Sequence, residues 1–370
     1  MGNSTPYNLY IDALRKWLWI EDEEGIRIII GTAVAAMMPG DPLWLFVIDP
    51  PGALKTEICR SLTGPRVYSV DSLTPQSLIT GFRSKKGENI DILPDLDGKV
   101  LIIKDFTTIL SKPEKIRDDL LSKLRAAYDG ELEQAYGSGV KKKGYKSTFG
   151  LIAAVTPVIE IYYKIHSILG ERFVSVRPRY NRVEAVRCAL EHSGMEQKMR
   201  KGISEVASDM LSFYELESKT TKPNLVRKDI SKIQALGDVI SILRSPVARD
   251  FQRDLLYIPE AEVGTRLAKQ FYRLGHSLEV MGNYDYTAIK RCALDCLSPS
   301  RARIIFTLLN EGELTTTEIT KKTRLTKNMV LTEGENLWLL GVLDRKEKAK
   351  SFHFSIKIDF IYKMVEAELE

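Results

Sequence analysis

The sequence predicts an α/β core on a parallel sheet, then an all-helical module, then a terminal module of three helices and a β-hairpin. Strand-length apolar runs at Trp44–Ile48, Lys99–Ile103 and Phe149–Val155 are separated by helical segments, the order of a parallel sheet covered on both faces. From Arg182 to about Cys296 the helices are amphipathic and no strand-length apolar run occurs. Beyond Arg301, three short helical patterns precede two β-rich runs around the basic loop Lys346–Lys350.

Taken in order, Tyr7–Ile20 carries Leu9, Leu14, Trp17 and Leu18 at helical spacing, and Gly25–Met38 is a second helix stopped by Pro39-Gly40-Asp41-Pro42. Trp44–Ile48 is a buried strand and Thr56–Leu62 the helix that follows its turn. Arg66–Val70 reads as a strand, Pro75–Thr80 as a short helix and Lys85–Asp97 as a loop. Lys99–Ile103 is a central strand, expected beside Trp44–Ile48 and ending in Lys104-Asp105-Phe106. Pro113–Tyr128 is an amphipathic helix with proline at its tolerated first position. Two runs flanking Gly137-Ser138-Gly139 form a hairpin tipped with Lys141, Lys142, Lys143 and Lys146, with Tyr136 and Tyr145 among them. Phe149–Val155 ends at Thr156-Pro157, Val158–Gly170 is helical, and Phe173–Val176 alternates like an edge strand. Thr265–Met281 is the best helix of the helical module. Helices at Arg301–Leu309, Thr315–Lys322 and Lys327–Leu339 precede strands at Val342–Arg345 and Phe352–Ile356.

A chain of 370 residues exceeds one small core, and its 44% hydrophobic and 28% charged content excludes wholesale disorder. Lys and Arg exceed Asp and Glu by only 5, so placement rather than total charge has to argue for any nucleic-acid contact. Cys59, Cys188, Cys292 and Cys296 make no C-x-x-C pair and read as buried thiols. Met1–Tyr10 has no signal-peptide core, and Ile26–Met38 is too short to span a bilayer and contains Arg27. A cytoplasmic chain with no membrane contact is expected.

The chemistry-bearing stretch is Asp49-Pro50-Pro51-Gly52-Ala53-Leu54-Lys55-Thr56. It follows a strand, turns at Pro-Pro-Gly and delivers Lys55 and Thr56 to the first turn of a helix, the layout of a phosphate-binding P-loop. That chemistry needs a lysine on the β/γ-phosphates of ATP and a hydroxyl on Mg²⁺. Asp49 and Leu54 stand where the pattern has glycine. Asp105, at a strand end, is placed where P-loop enzymes handle metal and water.

In order and spacing these pieces resemble the AAA+ ATPases, in layout the branch of the minichromosome-maintenance helicases and related phage or mobile-element ATPases. The resemblance implies a core over residues 1–178, a helical lid over 179–297 and a winged helix over 298–370. It implies that residues 49–56 bind ATP and that Thr56 and Asp105 serve Mg²⁺. Ile102–Phe106 is similar to the Walker B segment in two registers, one putting Asp105 on the catalytic glutamate and Lys104 on the metal-associated aspartate, the other putting Asp105 on the metal and Phe106 on the glutamate. Thr156 falls at the sensor-1 position, Arg172 of Gly170-Glu171-Arg172-Phe173 at the arginine finger, and Arg266 of Gly264–Gln270 at sensor 2. DNA contact is implied for Lys141, Lys142, Lys143 and Lys146 and for the winged-helix residues Lys327, Lys346 and Lys348. Arg324, Asn328, Arg345 and Lys350 share that basic face. An arginine finger requires a homo-oligomer, of which a hexameric ring is one form.

Two functions follow. One is an ATPase whose turnover moves along or remodels DNA. The alternative, motivated by Asp49, Leu54 and Lys104, is a DNA-binding or regulatory protein that kept the scaffold without hydrolysing nucleotide. A third, weaker reading is a transcription regulator assembled by the ATPase region.

Overall fold

The computed structural model describes residues 5–52, 54–80, 90–136, 142–162, 172–250, 252, 254–348 and 351–370. None of the helices among them is long and apolar enough to cross a membrane. The chain forms two compact units, Met1–Val226 with Arg273–Ile289, and Arg227–Tyr272 with Lys290–Glu370.

The first unit contains a five-stranded parallel sheet of Trp44–Ile48 (β1), Val67–Val70 (β2), Val100–Ile103 (β3), Gly150–Val155 (β6) and Phe173–Val176 (β7), in the order β2-β3-β6-β1-β7. Glu131–Ala135 (β4) and Lys142–Lys146 (β5) form a separate antiparallel hairpin. Every residue of β1, β3, β6 and β7 is buried, and β1, β3 and β6 accordingly read as unbroken apolar runs. β7 is an edge strand as expected, yet both of its faces are buried.

The expected neighbourhood of β1 and β3 is corrected. β6 lies between them, with Ile48 beside Val155 on one side and Ile103 beside Ala153 on the other. Apolar content reports that a strand is central; it carries no information on which central strand it pairs with.

The helices of this unit include Pro6–Arg15 (α1), Glu23–Ala35 (α2), Lys55–Ser61 (α3), Pro75–Leu78 (α4), Thr107–Leu110 (α5), Glu114–Tyr128 (α6), Arg182–Glu191 (α7) and Glu196–Glu217 (α8). Thr5 caps α1 by accepting the Asn8 N–H, and Pro6 occupies the first turn, where a missing N–H costs nothing. The predicted helix over Val158–Gly170 begins as a 3₁₀ turn, Pro157–Ile161, and residues 163–171 lie outside the described residues.

Trp44 anchors the core. Its indole N–H donates to the Phe149 carbonyl at 2.9 Å, and the rings of Tyr128, Phe149 and Phe173 lie 5.0, 5.4 and 5.2 Å away. Phe46 stacks on Phe173 at 3.9 Å and meets Phe106 edge-on at 5.2 Å. Each fully buried ring of this kind contributes about 1.5–3 kcal/mol through burial. Phe106 is thereby a core residue, which leaves Asp105 as the side chain turned outward at the end of β3.

The two compact units change over after Val226, Tyr272 and Ile289. α8 packs on α1 and α3: the Tyr7 N–H donates to the Tyr214 hydroxyl at 3.2 Å, Arg66 pairs with Glu215 at 2.8 Å, and Arg200 pairs with Glu57 at 2.8 Å. The second half of Thr265–Val280 (α11) also belongs here. Arg273 donates to Ala35 O at 2.8 Å and to the Met38 and Pro39 carbonyls, satisfying the last carbonyls of α2 and its turn.

The second unit runs from the second half of Leu225–Lys228 (α9) and Ile230–Arg244 (α10) through the first half of α11, then the second half of Tyr286–Asp295 (α12) and Pro299–Glu311 (α13). It ends with Leu314–Thr315 (β8), Thr316–Thr323 (α14), Lys327–Leu339 (α15), Leu343–Lys348 (β9), Ser351–Ile356 (β10) and Ile358–Glu366 (α16). The expected three helices and hairpin are present, and β8 pairs with β10 to complete a three-stranded antiparallel sheet. Thr315 and Glu318 form a reciprocal capping box at the start of α14. α16 was not anticipated from sequence. It packs on α10, and Lys363 pairs with Asp238 at 2.8 Å.

Candidate functional site

The carboxyl ends of β3, β6 and β1 lie side by side, and in open α/β sheets ligands bind outside this edge. The loop after β1 runs through Asp49, Pro50, Pro51 and Gly52 to Leu54, with Ala53 outside the described residues. Gly52 has φ +78°, a left-handed turn with open space where a Cβ would project. α3 then begins at Lys55, whose aliphatic stem is buried while its Nζ donates to the Pro50 carbonyl at 2.8 Å. Burial lowers the Lys55 pKa, opposed by Asp49, Asp105 and Cys59 in that order. The ammonium therefore lies in the field of two carboxylates from two strand ends. Thr56 is half-buried on the first turn of α3.

Asp49 is 2% exposed, and burial pushes its carboxyl up from 3.8 to about 6 against the opposing effects of Lys55, a hydrogen bond with Tyr180, and Arg182. Its Oδ2 is buried with no hydrogen-bond partner among the described residues.

Asp105 is exposed. Its Oδ1 accepts the Thr107 N–H at 3.0 Å, which starts α5, and Oδ2 remains as the oxygen open to a cation. The Thr107 hydroxyl lies 3.3 Å from that of Thr156 and accepts the Thr156 N–H at 3.2 Å. The ends of β3 and β6 are thus joined by a threonine pair next to Asp105. Lys104 points elsewhere: it pairs with Asp71 at 2.8 Å, so its ammonium does not accompany Asp105.

The chain matches no protein-family model and no curated protein.

A nucleotide and Mg²⁺ can be tested against these residues. The open turn at Gly52, the Lys55 ammonium donating to a loop carbonyl, the Thr56 hydroxyl and the outward Asp105 carboxylate fit a phosphate–metal pair in type. Asp49 is the discordant member, since an ionised Asp49 would repel phosphate. Among the described residues no cluster of three or more His, Cys, Asp or Glu side chains forms a metal cage.

The remaining sequence candidates are distributed differently. Arg172 is 5% exposed, pairs with Asp129 at 2.7 Å and lies over the Tyr128 ring at 5.5 Å, so in this conformation it is held within its own chain. Arg266, half-buried on α11, belongs to the second unit.

The lysine hairpin forms, with Lys141 and the tip outside the described residues, but its lysines are not one cluster. Strand alternation turns Lys143 and Tyr145 inward and Lys142 and Lys146 outward. Lys143 pairs at 2.5 Å with the buried carboxylate of Asp91, which also accepts the Thr80 N–H at 2.9 Å. Tyr136 and Tyr145 pack against the core beside it rather than standing free to stack on bases. Lys142 pairs across the hairpin with Glu133 at 2.7 Å and Lys146 with Glu131 at 4.0 Å.

In the second unit Lys327 and Asn328 are exposed at the start of α15. Lys346, Lys348 and His353 converge on Glu313 at 3.6, 2.7 and 3.3 Å, and Arg345 stacks on Trp338 at 4.0 Å while reaching Glu335. Lys350 lies outside the described residues.

Thr107 was within reach of sequence reasoning, as the residue through which a strand-end Asp105 caps the next helix. Sequence reasoning missed Asp71, Tyr180 and Arg182. The last two follow β7, and the run Arg177-Pro-Arg-Tyr-Asn-Arg was the available signal, a cationic stretch at the end of a strand adjoining β1.

Proposed function

We propose that the chain is a P-loop ATPase of AAA+ type that binds ATP with Mg²⁺ at the carboxyl edge of the parallel sheet and acts on DNA as a homo-oligomer. The observation that carries this is the convergence on Lys55 of Asp49 and Asp105, with the Thr107–Thr156 pair beside Asp105. In this reading Lys55 leaves the Pro50 carbonyl to hold the β/γ-phosphates, and Asp105 and Thr156 orient the attacking water. Thr56 and Asp105 would hold Mg²⁺, which supplies charge neutralisation to the phosphates when bound. Arg172 would have to exchange Asp129 for a neighbouring subunit's nucleotide. The order of three helices and a hairpin in the second unit supports reading it as a winged helix that contacts DNA through phosphates.

A second reading has its own support. Asp105 is the single carboxylate at the end of β3, Lys104 is committed to Asp71, and Asp49 sits buried in the loop. These features favour a protein that binds nucleotide with little turnover. Phosphate release with and without DNA, compared between wild type and Lys55→Ala, separates the two. DNA-stimulated release lost in Lys55→Ala supports the ATPase, and equal background release in both sinks it. An ATP titration with and without Mg²⁺ then tells nucleotide binding from none.

A further inference from the structure

The wing lysines, the obvious cations of the second unit, are committed to Glu313. A different group of cations surrounds a cleft of about 470 Å³ between one face of α13 and the end of α14. Arg303, Phe306 and Asn310 recur along α13 at the three- and four-residue spacing of a single helix face. From the other side come Lys322 and Arg324. Lys322 pairs with Glu311 at 2.6 Å, bridging the two helices at one end of the cleft. Arg303 Nη1 reaches the Thr323 carbonyl at 3.4 Å, so its guanidinium spans the same gap.

Arg324 closes α14 with φ +58°, a left-handed position that favours glycine or asparagine. An arginine there carries a backbone penalty that glycine would avoid. It is exposed and has no hydrogen-bond or ion-pair partner among the described residues. The cleft thus holds three cations against one carboxylate, with a half-buried phenyl ring in its lining.

We propose that this cleft binds one nucleotide unit of a single-stranded nucleic acid, the phosphate on Arg303 and Arg324 and the base against Phe306. The volume is in the range of small-ligand sites. Two guanidinium forks suit a phosphate, and an aromatic ring accepts any base by stacking. A duplex keeps its bases stacked inside and cannot place one on Phe306, which selects the single strand. The cleft is built from residues of the second unit and the candidate nucleotide loop from residues of the first, so the cleft does not depend on that loop's chemistry.

The test is fluorescence anisotropy of the full chain with a labelled oligothymidylate, a labelled duplex of equal length, and unlabelled thymidine monophosphate as competitor. Arg303→Ala and Arg324→Ala are each expected to weaken single-strand binding about tenfold and to reduce the slope of log K against log salt by about 0.7 for each phosphate no longer neutralised. Arg324→Gly removes the cation at a position that favours glycine, so its loss of binding cannot be blamed on misfolding. Phe306→Trp should give a fluorophore quenched by the oligonucleotide. Lys55→Ala should leave binding unchanged, so a failure of the ATPase reading and a failure of this one are distinguishable. Wild-type affinity in the Arg303 and Arg324 variants would overturn the proposal, as would duplex binding equal to single-strand binding. Saturable binding of the monophosphate with none of the oligonucleotide would show a free-nucleotide site and overturn the strand assignment.

Discussion

Asp49 is the residue whose chemistry most affects the candidate site. Its carboxyl titrates near 6 in the folded chain against an ordinary 3.8, so between these values the folded state holds a proton that the unfolded state has released. Stability from this group is therefore present below that window and falls as pH rises through it. Asp49→Asn is expected to stabilise the chain by on the order of 2 kcal/mol at about pH 7.5, with the gain shrinking below about pH 5. Urea denaturation at both pH values measures it, and identical curves for the two proteins would remove Asp49 as a source of strain. The same substitution should tighten ATP binding more at about pH 7.5 than at about pH 5.5, because only the ionised carboxylate repels phosphate. Lys143 gives the opposite kind of test. Lys143→Ala strands the carboxylate of Asp91, whose side chain is fully buried, and is expected to cost about 3 kcal/mol, whereas the solvent-exposed pairs of Lys142 and Lys146 should leave stability nearly unchanged when either lysine becomes alanine. If Lys143→Ala alters DNA affinity with no loss of stability, the inward lysine is a DNA-binding residue after all.

At the scale of elements, two features can be checked by substitution. A Cβ on Gly264 would lie 2.5 Å from the Gly237 carbonyl group, so the start of α11 approaches α10 more closely than any side chain allows. Gly264→Ala is expected to cost about 2–3 kcal/mol, read from the denaturation midpoint. Glu313 draws its carboxyl below the usual range chiefly through its hydrogen bond with Lys348, then through Lys346 and His353. Glu313→Gln releases these cations and should raise DNA affinity several-fold at low salt, an effect that vanishes at high salt because it is electrostatic. β1, β3 and β6 were legible because strands buried on both faces are apolar throughout, and β1 was bounded to the residue. The phosphate-loop candidate was legible because its turn, lysine and hydroxyl are contiguous. The position of β6, the inward turn of Lys143 and the approach of Tyr180 and Arg182 to Asp49 were not. Each is set by pairing or by an approach across more than a hundred residues or by strand face, none of which a local pattern encodes. Lys346 and Lys348 looked free for the same reason, since Glu313 lies thirty-odd positions upstream.

At the scale of the molecule, sequence suggested three consecutive segments, whereas each unit is assembled from two stretches of chain. A fragment of residues 1–178 lacks α8 and the Arg273 cap on α2, and loses Tyr214 from beneath α1. It is expected to express as an aggregating or protease-sensitive chain, while the full chain resists; a folded 1–178 fragment with a cooperative thermal transition would contradict that. The chain passes between units after Val226, inside α11 after Tyr272 and inside α12 after Ile289. All three passages fall inside helices, α9, α11 and α12, with no loop to absorb extension. Pulled from its ends in an optical trap, the chain should therefore not release one unit as an intact bead on a slack tether. Melting either unit unravels helix that the other shares, so the force trace should show one dominant rip in place of two well-separated ones.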